Sequence, residues 1–138
     1  MNLTLGQCEI EILTKKGAGA KMSTELYGLV QSTITTDDVQ AFKAQAKKMK
    51  DAAENEIGTL SYDFFINEEK REAFIVEKYV DDKAFMAHMD QFLQEGFIPK
   101  ILTMMELTSL KMLGPVTEEI DEFFAKGGWT YDAYPLVM

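Results

Sequence analysis

"TLSYDFFINEEKREAFIVEKYV", residues 59–80, decides the fold. Two runs rich in aromatic and β-branched residues flank "NEEKRE", a charged connection of hairpin length. In the first run Leu60, Tyr62, Phe64 and Ile66 share one face, and Thr59, Ser61, Asp63 and Phe65 share the other. In the second run Ala73, Ile75, Glu77 and Tyr79 share a face, opposite Phe74, Val76, Lys78 and Val80. The reading is an antiparallel hairpin with apolar residues on both faces, and with an acid, Glu77, between Ile75 and Tyr79 on one of them.

On either side of the hairpin the period changes from two to 3.6. Residues 25–34, "ELYGLVQSTI", read as a preceding strand. A helix follows "TTDDV", capped by Thr35 or Thr36, with Asp37 and Asp38 at its positive end. Val39, Phe42, Ala46, Met49 and Ala53 form its apolar stripe, and Gly58 marks the turn into the hairpin. After the hairpin, Asp81 or Asp82 caps a second helix carrying Phe85, His88, Met89 and Phe92 along one side. Gly96 and Pro99 interrupt it, with Pro99 able to restart a turn as a first helical residue. Residues 106–113, "ELTSLKML", read as a fourth strand.

The order β-α-β-β-α-β is the ferredoxin-like pattern of the α+β class, with an antiparallel sheet and both helices on one face. The other face stays apolar and uncovered in a single copy, so a homodimer that stacks two sheets is expected. Residues 22–113 make this domain, 1–21 an N-terminal extension, and 114–138 a tail with a short helix. "CEIEIL" in the extension alternates enough to predict a short extra edge strand.

Composition excludes several functions. The formal net charge of −9 is spread along the chain, which disfavours nucleic acid and anionic membranes as partners. No apolar run approaches the ~18 residues of a membrane span. The single cysteine, Cys8, forms no internal disulfide, and no Cys/His cluster of zinc spacing exists. With no secretory leader visible, the expectation is a reduced, cytoplasmic protein. No nucleotide loop or Ser/Cys-His-Asp pattern is present. The methionine-rich stretches, with Met86, Met89, Met104, Met105 and Met112, read as adaptable core filler.

"EIGTLSYDFF" (56–65) and "FIVEKYVDDKAFMAHM" (74–89) resemble the antibiotic biosynthesis monooxygenase domain, of the dimeric α+β barrel fold. The resemblance covers roughly residues 24–113, and the ending "GPVTEEIDEFFAKGGWTYDAYPLVM" is similar to a tail carried by some members. It implies sheet-to-sheet dimers with a pocket between sheet and helices. Some members oxidise anthrones and quinols with molecular oxygen as co-substrate and no flavin, haem or metal. The substrate anion reduces the oxygen; the protein binds the ring, takes a proton and excludes water. Other members isomerise small sugar-like signals, some degrade haem, and many have no known activity. Haem chemistry fits poorly here, because "QEGFIPKILT" (94–103) offers no axial histidine.

His88, the only histidine, falls at the family's histidine position and is a usable base near neutral pH; the alternative is a helix histidine bonded to a neighbour. Glu77 is expected to orient His88 or to act as base itself, its pKa raised if the strand face looks into a pocket; the alternative is a surface pairing with Lys or Arg. Tyr62, Tyr79 and Phe85 are expected to hold an aromatic substrate, although buried tyrosine is also ordinary core. Tyr79 stands where many members carry tryptophan. Trp129, Tyr131 and Tyr134 are expected to dock the tail on the body, with a lid or a dimer arm as the other reading. Three functions stay open: a cofactor-free monooxygenase acting on a quinol-like or polycyclic aromatic, an isomerase in the same pocket, or a small-molecule-binding module.

Overall fold

The structure is a computed structural model that describes residues 23–137. The extra strand expected in the N-terminal extension lies outside them. The order is β1 (Leu26–Ile34), α1 (Val39–Glu54), β2 (Thr59–Asn67), β3 (Glu72–Tyr79), α2 (Asp82–Gln94), α3 (Phe97–Leu102), β4 (Met105–Leu113), α4 (Glu118–Gly127) and β5 (Asp132–Tyr134). The sheet order is β2-β3-β1-β4-β5, so the first four strands have the expected ferredoxin-like arrangement and antiparallel pairing.

The sheet has one more strand than expected. β5 runs parallel to β4, pairing Lys111 with Asp132, Met112 with Ala133 and Leu113 with Tyr134. Three exposed residues carry no alternation that a strand reading could use; α4 brings them back alongside β4, and the ladder forms there.

Side-chain alternation agrees with the sequence except at one point. Ala73, Ile75, Glu77 and Tyr79 are buried, and so is Tyr62. Leu60, expected on the buried face, is 47% exposed, because the β2–β3 register shifts between Thr59 and Ser61. On the outer face Phe65 and Phe74 pair directly across the strands at 58% and 36% exposure.

Local chemistry sets the helix ends. The cap of α1 is Asp38, not Thr35 or Thr36: its carboxylate accepts from the Ala41 amide at 3.0 Å. Thr36 instead accepts from the Asp38 amide at 3.1 Å, closing the turn before the cap. Asp81 caps α2 as expected, accepting from the Ala84 amide. Gly96, left-handed at φ 76°, ends that helix and lets α3 begin at Phe97, two residues before Pro99. Thr117 caps α4, and Gly128 closes it in the left-handed region.

Two apolar clusters lie on the helix side of the sheet. One joins Ile34, Phe42, Met49, Tyr62, Ile75 and Phe92. The other joins Leu26, Tyr79, Phe85 and Met112 to Ile120 and Phe124 of α4, so the tail docks on the body. Among the described residues no helix is long and apolar enough to cross a membrane.

Candidate functional site

Between the clusters lies a cavity of about 80 Å³. The sheet contributes Tyr62, Ile75 and Glu77 to its wall; α2 contributes Phe85, His88, Met89 and Phe92; Met49, Met105 and Trp129 complete much of the remainder. Glu77 and His88, 11 residues apart across the strand-to-helix joint, thus face one space. The cavity has about half the ~150 Å³ of an engineered apolar cavity that accepts benzene. A ring therefore enters only as neighbours move, and the methionines are the side chains that adapt most easily.

Glu77 owes its place to a glycine. Gly28 on β1 is its cross-strand partner, and a Cβ at Gly28 would stand 3.2 Å from Glu77 Oε1. The missing side chain leaves room for the carboxyl group. Tyr79 donates its hydroxyl to that oxygen at 2.6 Å. Burial pushes the Glu77 carboxyl above its usual range, and the His88 charge and the Tyr79 hydroxyl only partly oppose it. Burial first, and then the Glu77 charge, push Tyr62 and Tyr79 well above the ordinary phenol value, so both act as neutral rings.

His88 is 3% exposed and boxed by aromatic rings. Its centroid lies 4.0 Å from that of Phe92, 5.1 Å from Tyr62 and 5.2 Å from Tyr79. The hydrogen bond at its Nδ1 goes to Glu56 Oε1 at 2.8 Å, not to Glu77, which was expected to orient it. Thr59 donates to the same Glu56 oxygen at 2.7 Å. Burial alone would push Glu56 up; the bonds from His88 and Thr59 outweigh it and hold the carboxyl below its usual value.

Whether Glu77 and His88 meet was open in the sequence; the structure places Tyr62, Glu77, Phe85 and His88 around one cavity, and adds Glu56, which the sequence did not single out. Tyr79 is a correction: it is fully buried and stands behind Glu77, outside the cavity wall. Its hydroxyl is spent on the carboxyl group, so it supports Glu77 rather than stacking on a ligand. The only sequence signal for Glu56 was an acid in the polar turn before Gly58. Among the described residues no three His, Cys, Asp or Glu side chains converge as a metal site would require.

The raised Glu77 value has a thermodynamic consequence. Over the window between its unfolded value, about 4.3, and its higher folded value, the folded chain holds more protons than the unfolded one. Stability from this group is full below the window and falls as pH rises through it. Glu77→Gln, which can still accept from Tyr79, is expected to flatten that decline. The gain is at most about 1.4 kcal/mol for each unit separating the two values. Thermal unfolding of both proteins from about pH 4 upward checks this; parallel curves would contradict a raised Glu77 value.

Comparisons with known proteins agree with this architecture. MupZ from Pseudomonas fluorescens superposes with a TM-score of 0.71 at 18% identity, covering 86% of this chain and 89% of its own. Rv0793 from Mycobacterium tuberculosis gives 0.58 at 18% identity, covering 68% and 97%. A candidate antibiotic biosynthesis monooxygenase from Nitrosomonas europaea gives 0.57 at 17% identity, covering 67% and 88%. At such identities these likenesses speak for the fold. No curated protein sequence matches the chain significantly. The antibiotic biosynthesis monooxygenase family model matches residues 26–97, just over half of the chain and the stretch that carries Glu56, Tyr62, Glu77 and His88. The chain belongs to the antibiotic biosynthesis monooxygenase family.

Proposed function

We propose that the protein is a cofactor-independent monooxygenase that oxidises a small quinol-like aromatic with molecular oxygen. The carrying observation is His88: its Nδ1 is engaged by Glu56, while the ring borders an apolar cavity shared with Glu77. Among the described residues nothing bonds Nε2, which is left to take a phenolic or ring C–H proton from the substrate. The resulting anion reduces oxygen itself. The anion forms a C–O bond to oxygen, the O–O bond then breaks, and the ring carbon keeps one oxygen as a carbonyl in place of two hydrogens; those hydrogens leave with the other oxygen as water, and the substrate supplies all four electrons. Tyr62 and Phe85 hold the ring, and the surrounding apolar side chains exclude water. The cavity's size favours a single ring over a polycyclic one.

Oxygen uptake by metal-stripped protein without added flavin, offered quinols and anthrones, tests the reading. No uptake above the buffer blank with any substrate would end it.

One observation favours an isomerase as the second reading. Glu77, its carboxyl pushed up by burial, and His88 line one cavity, and an acid and a base facing one space can move a proton across a small carbonyl compound. Turnover without oxygen would select it. Binding without turnover would select the non-catalytic module.

The partner expected on the outer sheet face is a second copy. Phe65 and Phe74 form an exposed aromatic pair there, and sheet-to-sheet stacking would cover it. Light scattering at micromolar concentration should find a dimer, and Phe65→Glu, which places a charge in that contact, should give a monomer. A monomeric parent chain would refute the pairing.

A further inference from the structure

We infer that Glu56 is the positioning residue of the site: it fixes the tautomer of His88 so that Nε2, which nothing bonds among the described residues, carries the free lone pair. The inference rests on the reading of His88 as the base. It deepens that reading by naming what leaves the base at Nε2.

The geometry is specific. An ionised carboxylate accepts hydrogen bonds and donates none. With Glu56 Oε1 at 2.8 Å, Nδ1 must carry the hydrogen, and in the neutral ring Nε2 is then bare. Thr59 holds the same oxygen from the other side at 2.7 Å, so the carboxylate does not swing freely. Among the described residues Oε2 is buried without a partner, and the hydrogen bonds to this carboxylate come from His88 and Thr59.

The distance between turn and helix is set by packing. Gly58 sits against Ala84, one helical turn before His88 on the same face of α2. A Cβ at Gly58 would stand 2.5 Å from that of Ala84. The Val80 amide also donates to the Gly58 carbonyl at 2.9 Å. The turn carrying Glu56 is thereby seated on α2 at closest approach. The other titratable groups facing His88 are Glu77, Tyr62 and Tyr79. None of them hydrogen-bonds the ring among the described residues, which leaves the tautomer to Glu56.

His88 is the only histidine, so one pair of ring nitrogen signals reports the state directly. Long-range 1H–15N spectra of the ligand-free full chain, at pH values where the ring is neutral, are expected to show hydrogen on Nδ1 alone. Glu56→Gln can donate its amide to Nδ1 and should let the Nε2–H form appear. In an oxygen-uptake assay the same change should lower kcat on the order of 10²-fold while leaving KM nearly unchanged. Glu56→Asp, with a shorter arm, should also mix the tautomers and serves if the amide variant folds poorly. An Nε2–H signal in the parent chain, or an unmixed Nδ1–H signal in the variants, would overturn the assignment. The spectra need no substrate. If no substrate is oxidised but the tautomers behave as stated, the monooxygenase reading fails and the positioning role stands.

Discussion

His88→Ala is expected to lower turnover by about 10²–10⁴-fold, the usual contribution of a positioned general base. Rate falls because the cavity offers no substitute at the same place. Glu77 lies on the sheet-side wall with one oxygen already bonded by Tyr79; Glu56 is bonded to the imidazole at Nδ1. Binding should suffer far less, since Tyr62 and Phe85 remain in the wall, so the loss should appear in kcat. The variant also leaves Glu56 with one fewer donor, at a stability cost of about 1–3 kcal/mol for a stranded buried acceptor. His88→Gln, which can still donate to Glu56, separates the effects: it should recover part of the stability and none of the rate. Oxygen uptake beside thermal unfolding of both variants makes the comparison. Turnover within a few-fold of the parent would remove His88 from the chemistry.

Phe92→Ala should cost about 3–5 kcal/mol, the upper range for core truncations. Phe92 is 1% exposed and packs on His88, Tyr62 and Phe97, with centroids at 4.0, 5.4 and 5.1 Å. The cost depends on how far surrounding atoms can fill the gap. Here the gap adjoins an existing cavity, so the removed ring enlarges a void on a side already lacking atoms. Against a typical total of about 5–15 kcal/mol, that is a large fraction. A urea titration should show a markedly lower midpoint with an unchanged slope. A loss below about 1 kcal/mol would mean that the site collapses, contrary to the packing described.

The sequence carried much of this structure, for identifiable reasons. Residues 59–80 alternate because a strand between two surroundings must alternate. That alternation placed Tyr62 and Glu77 on the face where the structure has them. The same logic placed His88 with Phe85 and Phe92 on one stripe of α2. Periodicity is silent about turns, however. Glu56 lies in a connection and meets His88 across 32 positions, a pairing created by the seat of Gly58 on Ala84. Tyr79 shared the correct face but not the correct depth, because alternation gives direction and not distance from a void. β5 was illegible because its strand character comes from its neighbour, not from its own three residues.

The tail gives the molecule an optical window onto its own interior. Trp129 is the chain's only tryptophan, and it stands in the cavity wall with the rings of Phe123 and Phe124 about it. Indole emission is therefore a single-site signal whose colour and intensity depend on what occupies that space. Entry of a quenching ring, escape of solvent or detachment of α4 would each pass through one fluorophore. Occupancy can be followed by light alone, with no label and no knowledge of the ligand's chemistry.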